Sequence, residues 1–168
     1  MISPTHGSLS FDEMMERILC FLKEQPDKTH IVTIGCDSHN YDHTQMALVV
    51  AVQRVGNGGI YFFDLFHRKR ITSLQEKIYE ETNISLEMAQ KVSVELAGKV
   101  EDVGLQIHVD IGEKGPTSRM IKEIVGWVTA MGYDCQIKPY AWTASGVADK
   151  ISKYKEEDYG KAGYRYAQ

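Results

Sequence analysis

Apolar residues near the amino terminus recur every three or four positions, which is the spacing of one face of an α-helix. Ser10 precedes this segment and Glu13 follows three residues later, a pair that forms a capping box at a helix start. Pro26 ends the pattern, because proline cannot continue a helix. The sequence therefore predicts an amphipathic first helix of about three turns, whose apolar face contains Phe11, Met14, Ile18, Phe21 and Leu22.

Three short apolar runs then replace the helical spacing, and each has the length of a strand. The first run is centred on residues 31–34, and the others span 46–52 and 60–66. The segment 38–43 is predicted to be a loop between the first two strands. Asn57-Gly58 tolerates positive φ and is typical of a tight turn, so the second and third strands are expected to form a hairpin.

Helical and strand patterns alternate in the second half of the chain. Residues 73–100 are rich in helix formers, with an interruption near 82–85 where Ser85 is predicted to cap a second helical segment. The remaining pattern predicts a strand at 105–109, a helix beginning at Pro116, a short strand at 133–137 and a last helix at 141–154.

This order, one helix followed by β-β-β-α-β-α-β-α, predicts an α/β fold with a mixed five-stranded sheet. Strands joined by hairpins are antiparallel and strands separated by helices are parallel, with helices on both faces of the sheet. We expect a single domain over residues 1–168. Its parts are an extra N-terminal helix in 1–26, a core in 29–155 and a polar tail in 156–168.

Composition narrows the class of protein. The chain has 168 residues, of which 43% are hydrophobic, so it is long enough to bury a core. Its formal net charge of −4 supplies no bulk positive field, and any nucleic-acid binding must come from a local patch. Three widely separated cysteines fit free thiols in a reducing compartment. The longest apolar run, 46–52, is too short to span a bilayer, so we expect a soluble cytoplasmic protein without membrane contact.

Four carboxylates occupy positions from which they can converge. Asp37 and Asp110 each close an apolar strand, whereas Glu87 and Asp149 lie in predicted helices. Carboxylate oxygens at such a meeting point are suitable ligands for hard divalent cations. The alternative is that the aspartates cap the following loops and that the glutamate is simply solvated.

Four segments carry a resemblance to a known family: Ile34-Gly-Cys-Asp-Ser38, Thr82-Asn-Ile-Ser-Leu-Glu-Met88, His108-Val-Asp-Ile-Gly112 and Ala144-Ser-Gly-Val-Ala-Asp-Lys150. They resemble the ribonucleases H, which have an Asp closing the first strand, a Glu in a following helix, an Asp closing the fourth strand and an Asp in the last helix. The chain, above all in 27–54 and 108–153, also resembles the YkuK-type family of bacterial proteins, which is ribonuclease H-like and of unestablished activity.

The resemblance implies a metal-dependent nuclease that hydrolyses nucleic-acid phosphodiesters. It assigns Asp37, Glu87, Asp110 and Asp149 as catalytic residues and as ligands of Mg²⁺ or Mn²⁺, with Asp37 bridging two ions about 4 Å apart. Glu95, two turns beyond Glu87, is the reserve candidate for the acid that the resemblance places in the helix.

Other polar residues are candidates for binding the substrate. Ser38 and His39 follow Asp37 in the predicted loop. Lys138 is placed either to neutralise a phosphate or to pair with an acid, and Lys150 is a further candidate for phosphate contact if it lines the same face. The basic run 67–70 is a further candidate, although a charge run at a strand end is also typical of a solvated edge. His39 and His43 have a weaker interpretation as metal ligands together with Asp42.

Two other functions stay open at this point. A non-catalytic binding or scaffold module would keep the fold and leave its carboxylates apart or bonded to neighbours. A phosphoesterase for small nucleotides would suit the acidic net charge. A homodimer contact through the aromatic third strand and the tyrosines Tyr154, Tyr159, Tyr164 and Tyr166 is compatible with the sequence, as are ordinary core and tail roles.

Overall fold

The computed structural model describes residues 1–154, so the predicted tail and its tyrosines Tyr159, Tyr164 and Tyr166 lie outside the described residues. In chain order the elements are β1 (Ile2–Ser3), β2 (Gly7–Ser8), α1 (Phe11–Glu24), β3 (His30–Asn40), β4 (Thr44–Arg54), β5 (Gly59–Arg68), α2 (Leu74–Leu96), β6 (Val103–His108), a 3-10 helix (Pro116–Met120), α3 (Ile121–Ala130), β7 (Asp134–Gln136), a π-helix (Thr143–Ala148) and α4 (Asp149–Ser152).

The strands form one mixed sheet in the order β2-β1-β5-β4-β3-β6-β7. The pairs β3–β4 and β4–β5 are antiparallel, whereas β6 pairs in parallel with both β3 and β7. The predicted mixed α/β architecture is confirmed. The sheet has seven strands and not the predicted five. The two additional strands, β1 and β2, form an N-terminal hairpin that pairs with the edge strand β5 through Ile2 and Phe63.

The first helix begins as predicted. Ser10 Oγ accepts from the Glu13 amide at 3.2 Å, and the Glu13 carboxylate accepts from the Ser10 amide at 2.7 Å, which completes the capping box. Met14, Ile18 and Leu22 are buried against the sheet. The spacing of apolar residues therefore identified the face that packs, since burial of that face stabilises the helix more than its propensity does.

Helices cover both faces of the sheet. On one face α1, α2 and α3 enclose a core that includes Val32 and Ile34 of β3. On the other face a smaller cluster joins Val49 and Ala51 of β4 to Ile151 of α4. Since side chains alternate along a strand, successive residues of β3 contact different helices. Within residues 1–154 no helix has the length and apolar character needed to cross a membrane.

The predicted interruption of the second helix is wrong. The helix α2 is continuous from Leu74 to Leu96, and it is Ser73 that caps its start, with Oγ accepting from the Glu76 amide at 3.3 Å. Ser85 lies buried inside the helix, where its hydroxyl donates to the carbonyl of Glu81 at 2.8 Å. A hydroxyl that bonds back to the preceding turn is satisfied without a break in the helix.

The predicted loop after the first apolar run is also too long. Ser38, His39 and Asn40 belong to β3 and pair with Met46, Gln45 and Thr44 of β4. Only three residues connect the two strands, so Ser38 and His39 have the fixed orientations of strand residues.

The last helical segment approaches β3 closely. A Cβ atom at Gly35 would lie 2.9 Å from the Ala144 amide nitrogen, so only glycine fits at this crossing. Next to it, the hydroxyls of Thr33 and Thr143 share a buried hydrogen bond of 2.7 Å. This contact fixes the π-helix on β3 and brings α4 to the strand's end.

Candidate functional site

The site lies where β6 diverges from β3. The parallel pairing of these strands ends at Gly35 and His108, while β3 continues to Asn40 alongside β4. Asp37 and Asp110 each lie two residues beyond the last pair. Crevices at the carboxyl ends of parallel strands, where neighbouring chains separate, are the usual ligand sites of open α/β sheets.

Asp37 is buried on the face that packs against α4. Its side chain is 9% exposed, and its Oδ2 accepts from Ser152 Oγ at 2.7 Å. Burial raises the pKa of Asp37 to about 6, and the charges of Asp110 and Asp149 act in the same direction. The hydrogen bond from Ser152 and the charge of Lys77 oppose this shift. Asp37 is therefore a carboxylate in surroundings that favour a bound cation.

Glu81 of α2 is the second buried acid of the site. It is 6% exposed, and its Oε1 accepts from Ser38 Oγ at 2.6 Å. Burial raises the pKa of Glu81 to about 8, with a further contribution from the charge of Asp37. Lys77 lies one turn earlier and donates to the Ser38 carbonyl at 3.0 Å, which holds a positive charge close to both acids. At neutral pH Glu81 is mainly protonated.

The other two acids are paired with lysines. Lys138 Nζ lies 2.9 Å from Asp110 Oδ1, and Lys153 Nζ lies 2.6 Å from Asp149 Oδ1. The contact of Lys138 is an ion pair without the alignment of a hydrogen bond, so Asp110 Oδ1 is buried with no hydrogen-bond donor among residues 1–154. Both lysine side chains are about half exposed, at 49% and 52%. Ion pairs of this kind exchange partners at little free-energy cost.

Glu87 does not join this cluster, which corrects the expected position of the helix acid. It lies six residues after Glu81, is exposed, and accepts from Asn83 Nδ2 at 2.8 Å on the outer side of α2. The reserve candidate Glu95 lies on the same outer surface and pairs with Lys99 at 2.8 Å. Six residues turn a helix by about 240° beyond one full turn, so Glu81 and Glu87 cannot share a face.

The predicted substrate residues have different surroundings. Ser38 is buried and bonds to Glu81, so it supports an acid and does not face the solvent. His39 is partly exposed at the end of β3, and Lys150 is exposed on α4. Lys138 is occupied by Asp110. Lys150 is thus the accessible member of the four, while His39 is partly exposed with its ring centroid 4.8 Å from that of Tyr41.

His108 is a buried histidine that connects two elements of the fold. It is 2% exposed, and its Nδ1 accepts from the Thr143 amide at 3.2 Å. Burial lowers the pKa of His108 to about 4, so the imidazole is neutral at physiological pH. This histidine links β6 to the start of the π-helix.

The acids supply oxygen donors but do not form a finished metal site. Among residues 1–154 no group of three or more His, Cys, Asp or Glu side chains is arranged to hold a metal ion. The physical reason is that Asp37 and Glu81 project from opposite faces of the sheet's end, while Asp110 and Asp149 each turn towards a lysine. The weaker interpretation of His39 and His43 as metal ligands has no support in the described geometry.

Comparison with known proteins agrees with this architecture. Residues 13–153 match the family described as ribonuclease H-like. The chain is 31% identical over 162 residues to the protein named Uncharacterized protein YkuK of Bacillus subtilis (strain 168), with 89% of this chain and 94% of that relative covered. No solved structure matches the chain significantly. The chain therefore belongs to the ribonuclease H-like family and, within it, to the YkuK-type group.

Proposed function

We propose that the protein is a divalent-metal-dependent hydrolase of nucleic-acid phosphodiesters, with its reaction centre at Asp37, Glu81, Asp110 and Asp149. The observation that carries this proposal is that four acids, from β3, α2, α4 and the segment after β6, lie near enough at one end of the sheet to act on one another electrostatically. The pKa of Asp37 is raised by burial and by the charges of Asp110 and Asp149, and that of Glu81 by burial and by the charges of Asp37 and Asp110. Acids whose pKa values are raised by burial together with specific charged neighbours are candidates for a functional site. In this proposal Glu81 takes the role that the resemblance to the ribonucleases H implies for Glu87.

The donor chemistry fits Mg²⁺ or Mn²⁺. All four side chains offer carboxylate oxygens, which these ions prefer, and the buried Asp110 Oδ1 has as its neighbour the ammonium group of Lys138, a cation that a divalent ion would have to replace. We assign Asp37 and Asp110 as the principal ligands, with Glu81 and Asp149 completing the set. A bound divalent cation would lower the pKa of a water molecule and stabilise the leaving oxygen.

The neighbouring side chains have separate tasks in this proposal. Ser152 fixes one oxygen of Asp37 through its 2.7 Å hydrogen bond and leaves the other oxygen available. Ser38 and Lys77 hold Glu81 and its surroundings in place. A cation next to Glu81 would favour its ionised form, because an opposite charge lowers the pKa of a carboxyl group.

Lys138 and Lys153 act as exchangeable cations. In the absence of a divalent ion they neutralise Asp110 and Asp149. With a divalent ion bound to these acids, the ammonium groups of Lys138 and Lys153 would be available to a substrate phosphate. Lysine binds phosphate as a mobile point charge, and half-exposed side chains have the freedom to move.

The test is calorimetric titration of Mn²⁺ and Mg²⁺ into the wild type, Asp37→Asn and the matched control Glu87→Gln. The same samples are then assayed on labelled DNA, RNA, hybrid and short oligonucleotides. We expect the wild type and Glu87→Gln to bind Mn²⁺ and to cleave at least one substrate, and Asp37→Asn to lose both properties. Metal-dependent cleavage that survives in Asp37→Asn would refute the assignment.

A non-catalytic binding module is the second candidate. The observation that favours it is that each of the four acids already contacts a lysine or a serine side chain. This alternative predicts no Mn²⁺ binding by the wild type, even with oligonucleotide present, together with unchanged oligonucleotide binding in Asp37→Asn. The titration above therefore separates the two functions.

A further inference from the structure

Four aromatic rings form a continuous row at the end of the sheet next to the acids. The ring centroids of His39 and Tyr41 are 4.8 Å apart, those of Tyr41 and His43 are 6.1 Å apart, and those of His43 and His67 are 3.9 Å apart. His67 is exposed and the residues His39, Tyr41 and His43 are partly exposed, with Nε2 of the His43 ring buried. We call His39, Tyr41, His43 and His67 the ring row. It extends from the end of β3, around the hairpin, to the end of β5.

One end of the ring row meets the acid cluster. His39 lies two residues after Asp37 in β3, so the two side chains are on the same face of the strand. The Tyr41 hydroxyl donates to the Lys153 carbonyl at 3.1 Å, and the Lys153 side chain pairs with Asp149. A ligand on the rings would thus lie directly beside the acids.

The other end of the ring row continues into the basic segment. His67 is followed by Arg68, Lys69 and Arg70, all of which are exposed. Arg68 is held by Glu80 at 3.1 Å and lies over the Phe66 ring. Because Arg68 is paired and alternates with His67 along β5, Lys69 and Arg70 are the cations that give this acidic protein a local positive charge after the end of the ring row.

The ring row is held in position by the sheet. His67 shares a hydrogen bond of 3.1 Å with Gln45, whose amide also donates to the carbonyls of Ser152 and Tyr154. Asn40 and Thr44 close the hairpin through a 2.8 Å hydrogen bond. Rings that are fixed before binding lose little conformational entropy when a planar ligand stacks on them.

We propose that the ring row and the basic segment bind single-stranded nucleic acid, with unpaired bases stacked on the rings and phosphates held by the cations. Rings interleaved with positive charge are the recurrent means of binding single strands, because every unpaired base offers an open face for stacking. In a duplex those faces are already stacked within the helix. The inference rests on the proposed function for the statement that the bound strand is the substrate of the acid cluster.

The test measures binding in EDTA, where metal-dependent hydrolysis does not occur, so its result is independent of the proposed activity. Fluorescence anisotropy compares a labelled single strand of about twelve nucleotides, a duplex of the same sequence and an abasic strand of the same length and charge. We expect the wild type to bind the single strand about tenfold or more tightly than the abasic strand. Equal binding of these two strands, or tighter binding of the duplex, would overturn the proposal.

Variants locate the binding on the ring row. Tyr41→Leu is expected to weaken single-strand binding by about tenfold and to leave abasic-strand binding unchanged, whereas Tyr41→Phe keeps the ring and most of the affinity. Lys69→Ala should weaken binding of both strands and reduce its salt dependence, and Lys91→Ala on the outer side of α2 serves as the charge-matched control. Unchanged single-strand affinity in both Tyr41→Leu and His39→Leu would also overturn the proposal. Thermal unfolding checks that each variant is folded.

Discussion

Glu81→Gln tests the electrostatics of the site by removing one buried acid and keeping its shape. The pKa of Glu81 is raised from its ordinary value of 4.5 to about 8, first by burial and then by the charge of Asp37. Between these two pH values the folded protein holds a proton that the unfolded chain has released. The associated stability is fully present below about pH 4.5 and is lost as pH rises through about 8.

The magnitude follows from the number of protons involved. One extra proton in the folded state lowers the unfolding free energy by about 1.4 kcal/mol per pH unit, or about 3 kcal/mol between about pH 5.5 and 7.5. Asp37 contributes with the same sign up to about pH 6, where its own pKa lies, whereas the lowered pKa of the buried His108 contributes with the opposite sign up to about pH 6.5. In Glu81→Gln the slope above about pH 6.5 should largely disappear, because glutamine does not titrate.

The assay is urea unfolding at several pH values across this range, with EDTA present to remove divalent ions. Glu87→Gln is the matched control, since Glu87 is exposed on the same helix and should keep the wild-type slope. If Glu81→Gln showed the same slope as the wild type, or if wild-type stability increased between about pH 6.5 and 7.5, the placement of Glu81 in the cluster would be wrong.

Two further changes test the packing and the cation exchange. Gly35→Ala places a Cβ atom 2.9 Å from the Ala144 amide and is expected to cost about 1–3 kcal/mol in urea unfolding, whereas Gly146→Ala, with open space around its Cβ position, should cost much less. Equal losses would contradict the close crossing. Lys138→Met removes the ammonium group that competes with Mn²⁺ for Asp110. The affinity for Mn²⁺, measured by calorimetry, should increase about twofold to fivefold. Weaker binding would mean that Lys138 supports the metal site instead.

The sequence predicted the parts of the fold that depend on long, regular patterns. The apolar face of α1 and its capping box, the β4–β5 hairpin at Asn57-Gly58 and the alternation of helices and strands all agree with the structure. The hairpin of β1 and β2 left no such signal, because two-residue strands are too short to show alternation. They are stabilised by the edge of β5 instead.

The helix acid shows why the site was harder to predict than the fold. Glu87 follows a Thr-Asn pair in sequence, and that local similarity outweighed the helical spacing. Burial in α2 follows Ile78, Thr82 and Ser85, and Glu81 lies on that buried side. If α2 is treated as one continuous helix, the spacing of about 3.6 residues per turn places Glu81 on its buried face. The predicted break near residues 82–85 interrupted that spacing, so Glu81 was not identified as the helix acid.

The position of the last helical segment was predicted correctly, but its division into a π-helix and the short helix α4 was not. Residues 143–148 form a π-helix, within which Thr143 and Ala144 pack against Thr33 and Gly35 of β3. A contact between segments more than one hundred residues apart has no periodic signature in sequence. This contact between the π-helix and β3 positions α4 so that Ser152 can donate its hydrogen bond to Asp37.

The most direct test of the central claim is a crystal structure with Mn²⁺ soaked in, located by its anomalous scattering. We predict a Mn²⁺ peak coordinated by Asp37 and Asp110, with Lys138 displaced from Asp110 and Glu87 uninvolved. Crystals that show no peak at these acids, with the contacts from Lys138 to Asp110 and from Lys153 to Asp149 unchanged, would contradict the proposed metal-dependent hydrolase.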